Sequence, residues 1–156
     1  MQRILAILTV AAITWTPCVR AASGNSWTKL RYRGGTVPAK VDPYDYNTTI
    51  TVNPDLIILA FARSITVRIK PEQVLSLSYG QEAHRKVADI VALSFVLSPL
   101  ALFGLLHVSK DHFIGIVYHT EDGKSAAVLL EADKSNYSAI LLALKGATGK
   151  PIDKTP

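Results

Sequence analysis

Four histidines could take part in acid–base or metal chemistry: His84, His107, His112 and His119. Their spacing matches no metal-binding motif, and no pair forms His-x-x-x-His with a nearby glutamate. The one cysteine, Cys18, lies in the N-terminal apolar region, so a chain without that region has no thiolate. An enzyme would need Glu82, His84 and His112 to converge in a cleft. We therefore predict no metal site, no cofactor and no enzymatic activity.

A second group of residues that could bind a ligand is cationic. Three of its members alternate along one face of the first predicted strand, and the fourth follows in the next loop. Cations spread over about 13 Å of strand could complement phosphates, and arginine does so with two parallel hydrogen bonds. The alternative is a solvent-exposed strand face, whose charges prevent the strand from pairing with the strand edge of another chain. Arg68 and Lys70 would extend the surface if their strand lay beside the first. The candidate anion-binding residues are Lys29, Arg31, Arg33 and Lys40.

The longest uncharged stretch is Ile90–Leu106, seventeen residues that read IVALSFVLSPLALFGLL. As one helix it would span about 25 Å, slightly less than a hydrocarbon core of about 30 Å. Pro99 interrupts it and predicts two helices instead, over about 85–97 and 100–108, each too short to cross a membrane. We expect this hairpin to pack on its own domain or on a second copy; membrane contact and a true span are the alternatives. The candidate docking residues are Ile90, Val91, Phe95, Leu97, Leu100, Leu102, Phe103 and Leu106.

The N-terminal residues 1–21 have the three parts of a secretory signal peptide. Arg3 gives a positive start, Ile4–Trp15 is an apolar core of twelve residues, and Pro17 precedes a small-residue cleavage site that ends at Ala21. Cleavage there would remove two arginines and lower the formal net charge from +5 to +3. The alternative is an uncleaved N-terminal helix that anchors the chain, although twelve apolar residues are short for a span.

The remaining chain predicts short strands followed by one helix. Strands alternate apolar and polar residues or are continuously apolar, and turn residues such as Asn53-Pro54-Asp55 separate them. Tyr137, Ile140 and Leu144 lie on one side of the predicted helix, and Gly146 suits its C-terminal end. The predicted strands lie within 27–37, 44–55, 56–61, 64–70, 74–80, 112–120 and 125–133.

This order of elements resembles the pleckstrin-homology-like superfamily, with its bacterial and GRAM-type branches, and also small exported bacterial proteins of uncharacterised function. The segment DLIILAF…SITVRIKPEQVLSLSYG is similar to that family's hairpin and following strand. The resemblance implies a mainly β, α+β fold: a bent antiparallel seven-stranded barrel with a C-terminal amphipathic helix. The apolar helical insertion, about 85–108, would lie between strands five and six. One domain would then cover 22–146, with a polar tail over 147–156.

Together these features predict a non-enzymatic interaction module of the bacterial cell envelope. It would dock through the apolar insertion to a protein partner, a second copy or a membrane surface, and the basic strand face would orient it. The resemblance implies that Lys29, Arg31 and Arg33 are candidates for headgroup binding. A carrier or sensor of a small apolar ligand or lipid is the alternative, and an enzyme is a further one. We expect export to the periplasm or the exterior, and no nucleic-acid partner.

Overall fold

The computed structural model describes residues 25–62, 65–93 and 111–154. The predicted signal peptide, residues 1–21, lies outside the described residues, as does the second predicted helix, 100–108. Of the candidate docking residues, Ile90 and Val91 are described. The others lie outside the described residues: Phe95, Leu97, Leu100, Leu102, Phe103 and Leu106.

Eight strands, two helices and one short turn make up the described chain. The strands are β1 (Asn25–Gly35), β2 (Thr48–Val52), β3 (Ile57–Phe61), β4 (Ile65–Ile69), β5 (Val74–Tyr79), β6 (His112–His119), β7 (Ser125–Ala132) and β8 (Ile152–Lys154). The helices are α1 (Gln81–Leu93) and α2 (Tyr137–Thr148), and a 3₁₀ turn covers Pro71–Gln73. All seven predicted strands and the closing helix are present.

The strands form one mixed sheet in the order β4-β3-β2-β1-β7-β6-β5-β8. Neighbours are antiparallel, apart from β8, which runs parallel to β5. The sheet has two ends, at β4 and β8, and it is not a closed barrel. The structure therefore confirms a mainly β, α+β fold in which the seven predicted strands pair antiparallel, and it corrects the predicted barrel to an open sheet with an eighth, parallel strand.

The inner face of the sheet carries the larger core. Alternate residues of every long strand point into it, as the period of two predicts. Leu30 and Tyr32 of β1 and Ile114 and Ile116 of β6 are buried there. Helix α2 covers this core, because its apolar side presents three buried residues to the sheet: Ile140, Leu141 and Leu144.

The outer face of β6 and β7 is covered by α1. Its buried residues Ala83, Val87 and Val91 recur every four positions along one side of the helix. They pack against Phe113 of β6 and Leu129 of β7 in a second core, the outer cluster. Helices on both sides explain why β6 and β7 are almost fully buried and continuously apolar rather than alternating.

Gly115 sets how closely α1 approaches the sheet. It lies on the outer face of β6, and a Cβ there would come within 3.1 Å of Ala83 and 2.5 Å of the Ser78 hydroxyl oxygen. Only a residue without a side chain fits such a gap, because real Cβ atoms do not approach neighbours so closely. The first turn of α1 therefore packs directly on β6.

The helices and the C-terminus differ from the predicted boundaries. Helix α1 begins at Gln81 rather than near 85, directly after Gly80. Helix α2 passes the predicted stop at Gly146 and ends at Thr148, and the following Gly149 has a φ of 67°, which suits a glycine C-terminal to a helix. The tail predicted over 147–156 includes the end of α2 and strand β8. An ion pair between Lys86 and Asp153 ties β8 to α1.

Candidate functional site

Two of the predicted anion-binding residues, Arg31 and Arg33, share one carboxylate of the protein itself. Arg31 Nη1 donates to Glu131 Oε1 at 2.6 Å, and Arg33 Nε lies 3.3 Å from Glu131 Oε2. Arg31 stands opposite Glu131 in the pairing of β1 with β7, so the sheet register creates the contact. The side chains of Arg33 and Glu131 are 8% and 7% exposed. This Arg–Glu–Arg cluster is thus largely an internal structure rather than an open cationic surface.

Exposed tyrosines from the loop between β1 and β2 lie over the cluster. The Arg31 guanidinium carbon lies 4.1 Å from the centre of the Tyr46 ring, and that of Arg33 lies 5.6 Å from the Tyr44 ring. Arg33 Nη1 also donates to the carbonyl oxygen of Pro43 at 2.9 Å. These contacts hold the loop against the strand and shield the guanidinium groups from solvent.

Lys40 and Arg33 meet at one cleft, whereas Lys29 lies elsewhere. The cleft has a volume of about 390 Å³ and lies between the end of β1 and the following loop. Its walls include Tyr32, Val37 and Val41 and are mostly apolar. Lys29 is exposed on β1 beside Asp133, whose backbone N–H donates to the Lys29 carbonyl oxygen. The structure therefore brings together only two of the four predicted residues in a concave site.

Arg68 and Lys70 do not extend this surface. Arg68 belongs to β4, which is separated from β1 by β2 and β3. We expected Arg68 and Lys70 to join Lys29 and Arg31 only if their strand lay beside β1, and it does not. Arg68 instead lines a different cleft, of about 380 Å³, between β4 and the hairpin that joins β6 to β7.

The two described docking candidates differ in exposure. Val91 is buried in the outer cluster, where it holds α1 to the sheet, while Ile90 is partly buried beside it. Leu93, which the sequence analysis did not select, is 74% exposed at the end of α1. Ile90 and Leu93 line a cleft of about 570 Å³ whose other wall is the β6–β7 hairpin, including Thr120 and Lys124.

All three clefts open at the same end of the molecule, which we call the docking end. It comprises the last turn of α1 at Ile90 and Leu93, the loop residues Thr36–Lys40, the hairpin around Thr120 and the outer half of β4. Neighbouring clefts share lining residues, with Val37 and Pro38 common to one pair and Thr36 and Thr120 to another. Of the predicted binding residues, Arg33, Lys40 and Ile90 line these clefts.

The three residues that an enzyme would require do not converge. His84, on α1, makes an edge-to-face contact with Phe113 in the outer cluster, with ring centres 4.1 Å apart. His112 lies on the other side of the sheet, where it stacks on Tyr137 of α2 at 3.8 Å. Glu82 forms an ion pair with Arg85 one turn along α1. None of the three clefts described above is lined by any of these three residues.

The ring stack around His112 is a feature that sequence reasoning missed. The Tyr79 hydroxyl and His112 Nδ1 are 2.7 Å apart, and the Tyr79 ring also lies parallel to that of Tyr137. Burial, with the neighbouring Tyr137 hydroxyl, raises the pKa of Tyr79. The backbone N–H and hydroxyl of Ser135 lower the pKa of the nearby Asp133. The stack joins β5, β6 and α2, so its evident role is to hold α2 at this end of the sheet.

The described ranges lack two further classes of site. No group of three or more histidine, cysteine, aspartate or glutamate residues there could hold a metal ion. Within those same ranges, no helix has both the length and the apolar character needed to cross a membrane.

Comparison with known proteins supports the fold and leaves the family open. No protein family and no curated protein matches this sequence. Among solved structures, the chain is similar to one in the structure of the Spt16D Pob3N heterodimer, with a TM-score of 0.50 and 7% identity. The similarity covers 86% of this chain and 55% of that chain, so this protein spans about half of its neighbour. At this identity the likeness concerns the fold alone.

Proposed function

We propose that this protein is a non-enzymatic binding module on a pleckstrin-homology-like frame, which docks to a protein partner through the docking end. The observation that carries the proposal is the exposure of Leu93 at the mouth of a cleft of about 570 Å³. From Leu93 the sequence continues without a charge to Leu106. An exposed apolar residue beside a recess, followed by a long apolar stretch, is typical of an interaction site.

The pairing of β5 with β6 supports docking over membrane crossing. These strands precede and follow the uncharged stretch, and they are neighbours over Val74–Tyr79 and Ile114–Tyr118. The residues on the two sides of the stretch therefore belong to one sheet. A single crossing would have to separate strands that hydrogen-bond to each other, at a large cost in buried backbone polar groups.

A protein is the partner that we favour. The structural neighbour is itself part of a heterodimer, which is consistent with a protein partner. A second copy of this chain is the alternative protein partner, and a membrane surface is the alternative that is not a protein. The proposed setting, a bacterial cell envelope reached by export, rests on the N-terminal sequence alone.

Site-specific photo-crosslinking tests the docking end directly. A benzoylphenylalanine residue would replace Leu93 in the full chain, and in a matched variant it would replace Leu142 on α2, which is 72% exposed. We expect a discrete protein–protein product from position 93 and none from position 142, in cells that produce the chain naturally. Equal products from both positions, or a product with lipid alone from position 93, would contradict protein docking.

A second function is favoured by the cleft beside Arg33 and Lys40. Apolar walls with Lys40 at the rim suit a small amphiphile that carries an anionic group, and about 390 Å³ is within the range of ligand sites. The fluorescent probe anilinonaphthalene sulfonate has this chemistry. Binding in this cleft predicts that Lys40→Glu weakens the probe's affinity about tenfold, equivalent to about 1.4 kcal/mol. Lys145→Glu, on α2, is the control with the same change of charge.

A further inference from the structure

We infer that the free edge of β4 binds an extended segment of a partner protein as an additional strand, with a carboxylate of that segment facing Arg68. This site is distinct from the end of α1. It forms the β4 side of the proposed docking end, because its cleft also includes Thr36 and Thr120.

The two ends of the sheet differ in how they are protected. Strand β8 has only three residues, follows Pro151, contains Asp153 and Lys154, and is tied to α1 by an ion pair. Short length, proline and charge are the devices with which proteins prevent an edge from pairing with another chain. The β8 edge is therefore protected from pairing with another chain.

Strand β4 lacks most of these devices. All five residues pair with β3 in an uninterrupted register, from Ile57–Ile69 to Phe61–Ile65, without a bulge or a proline. No other strand of the described sheet pairs with its second side. A regular antiparallel strand directs alternate N–H and C=O groups outward, where they can bond to an added strand.

A recess next to β4 gives an added strand a place to lie. The cleft of about 380 Å³ has Ile65–Arg68 as one wall. The opposite wall consists of Val37 and Pro38 and the hairpin residues Tyr118–Glu121. An added strand would hydrogen-bond to β4, and its alternate side chains would contact the apolar surfaces of Val37 and Tyr118.

Charge determines which occupant fits. Arg68 is exposed, and it forms no ion pair with any described residue. In an antiparallel pairing of two copies of β4, both Arg68 side chains would lie on the same face, and such like charges destabilise neighbouring strands. A partner segment with Asp or Glu on that face would instead form a cross-strand ion pair. We therefore assign the site to a different protein rather than to a second copy.

Nuclear magnetic resonance with two synthetic peptides tests this assignment on the full chain. The probes are the acetylated, amidated peptides Thr-Val-Glu-Val-Thr and Thr-Val-Lys-Val-Thr. We expect the glutamate peptide to shift the backbone amide signals of Ile65–Ile69 and Tyr118–Glu121, and to bind about tenfold more tightly than the lysine peptide. Arg68→Glu should invert that preference, whereas Lys145→Glu, the matched control on α2, should leave it unchanged.

Three results would overturn the inference. One is the absence of shifts at the β4 amides with millimolar glutamate peptide. Another is a peptide preference that Arg68→Glu does not alter. The third is concentration-dependent self-association that shifts the same amides without any peptide, since this would assign the edge to a second copy. Arg68 is exposed, and the dispersion of the amide signals reports whether the variant is folded.

Discussion

The two faces of the sheet are built on different principles. The inner face is an apolar core, from Leu30 on β1 to Leu144 on α2. The outer face is divided between an apolar half under α1 and an ionic half, where Arg31 and Arg33 hold Glu131. The inner face therefore supplies most of the stability, whereas the contacts on the outer face orient α1 and the loop between β1 and β2.

The largest loss should come from the inner face. Leu30 is fully buried there, and Leu30→Ala should lower the free energy of unfolding by about 2–5 kcal/mol, because it removes apolar contacts and leaves a cavity. Urea denaturation monitored by circular dichroism measures the change. Leu142→Ala, at an exposed position of α2, should remain within about 0.5 kcal/mol of the parent chain. Equal losses would refute the special role of the inner core.

The ionic half of the outer face should be next in effect. Glu131→Ala leaves Arg33 buried without its carboxylate, and we expect a loss of about 3 kcal/mol. Arg31 is partly exposed and can turn toward water, which limits the loss. Glu72→Ala, an exposed carboxylate on the 3₁₀ turn, is the control. If both variants unfold at the same urea concentration, the cluster contributes nothing to stability.

The close contact of α1 with β6 gives a third test. Gly115→Ala introduces a Cβ against Ala83 and Ser78 and should cost about 1–3 kcal/mol through overpacking. Hydrogen exchange should accelerate in α1 more than in α2. Gly146→Ala has open space around it within α2 and should instead stabilise the chain by about 0.5–1 kcal/mol. If hydrogen exchange accelerated equally in α1 and α2, α1 would not be a separate layer.

A smaller change is expected at the centre of the outer cluster. Val87 is fully buried between α1 and the sheet, and Val87→Ala removes two carbon groups worth about 1.5 kcal/mol together. The loss should be smaller than that of Leu30→Ala by the same urea assay. A loss as large as that of Leu30→Ala would mean that the two faces contribute equally.

The last effect appears only at alkaline pH. Burial raises the pKa of Tyr118, on the inner face, to about 12, above its ordinary value of 10.0. The unfolded chain therefore ionises first, so this contribution to stability is complete below pH 10 and is lost as the pH rises toward 12. Tyr118→Phe should make the unfolding free energy less dependent on pH in this range. Titration of stability from pH 9 to 12 measures the difference, and identical slopes would contradict it.

The sequence predicted the strands well because their periodicity is a local property. Alternation in β1, β2 and β4 reflects one buried face and required no knowledge of the neighbours. Strand β8 was missed because three residues with a single apolar side chain, Ile152, carry no period. The start of α1 was placed too late, since polar residues such as Glu82 are buried there by contacts with the sheet.

The candidate sites were harder to predict because they depend on distant parts of the chain. Charges on alternate positions of β1 resemble a solvated face until Glu131, one hundred residues away from Arg31, is placed opposite them. The opposite charge on β7 was a detectable signal, but the register that pairs it was not. Two of the three clefts likewise join distant segments, at α1 and at β4, and so cannot be predicted from a local pattern, whereas the cleft beside Lys40 is lined by residues 32–43 alone.

The pairing of β1 with β7 also has a consequence for biosynthesis. Leu30 stands opposite Ala132, so the central pair of the sheet joins segments that leave the ribosome about one hundred residues apart. At a synthesis rate of about 5–20 residues per second, strands β1–β4 must wait at least several seconds with an unpaired inner edge. Such non-local contacts slow folding. We therefore expect β1 to complete its pairing only after β7 has left the ribosome.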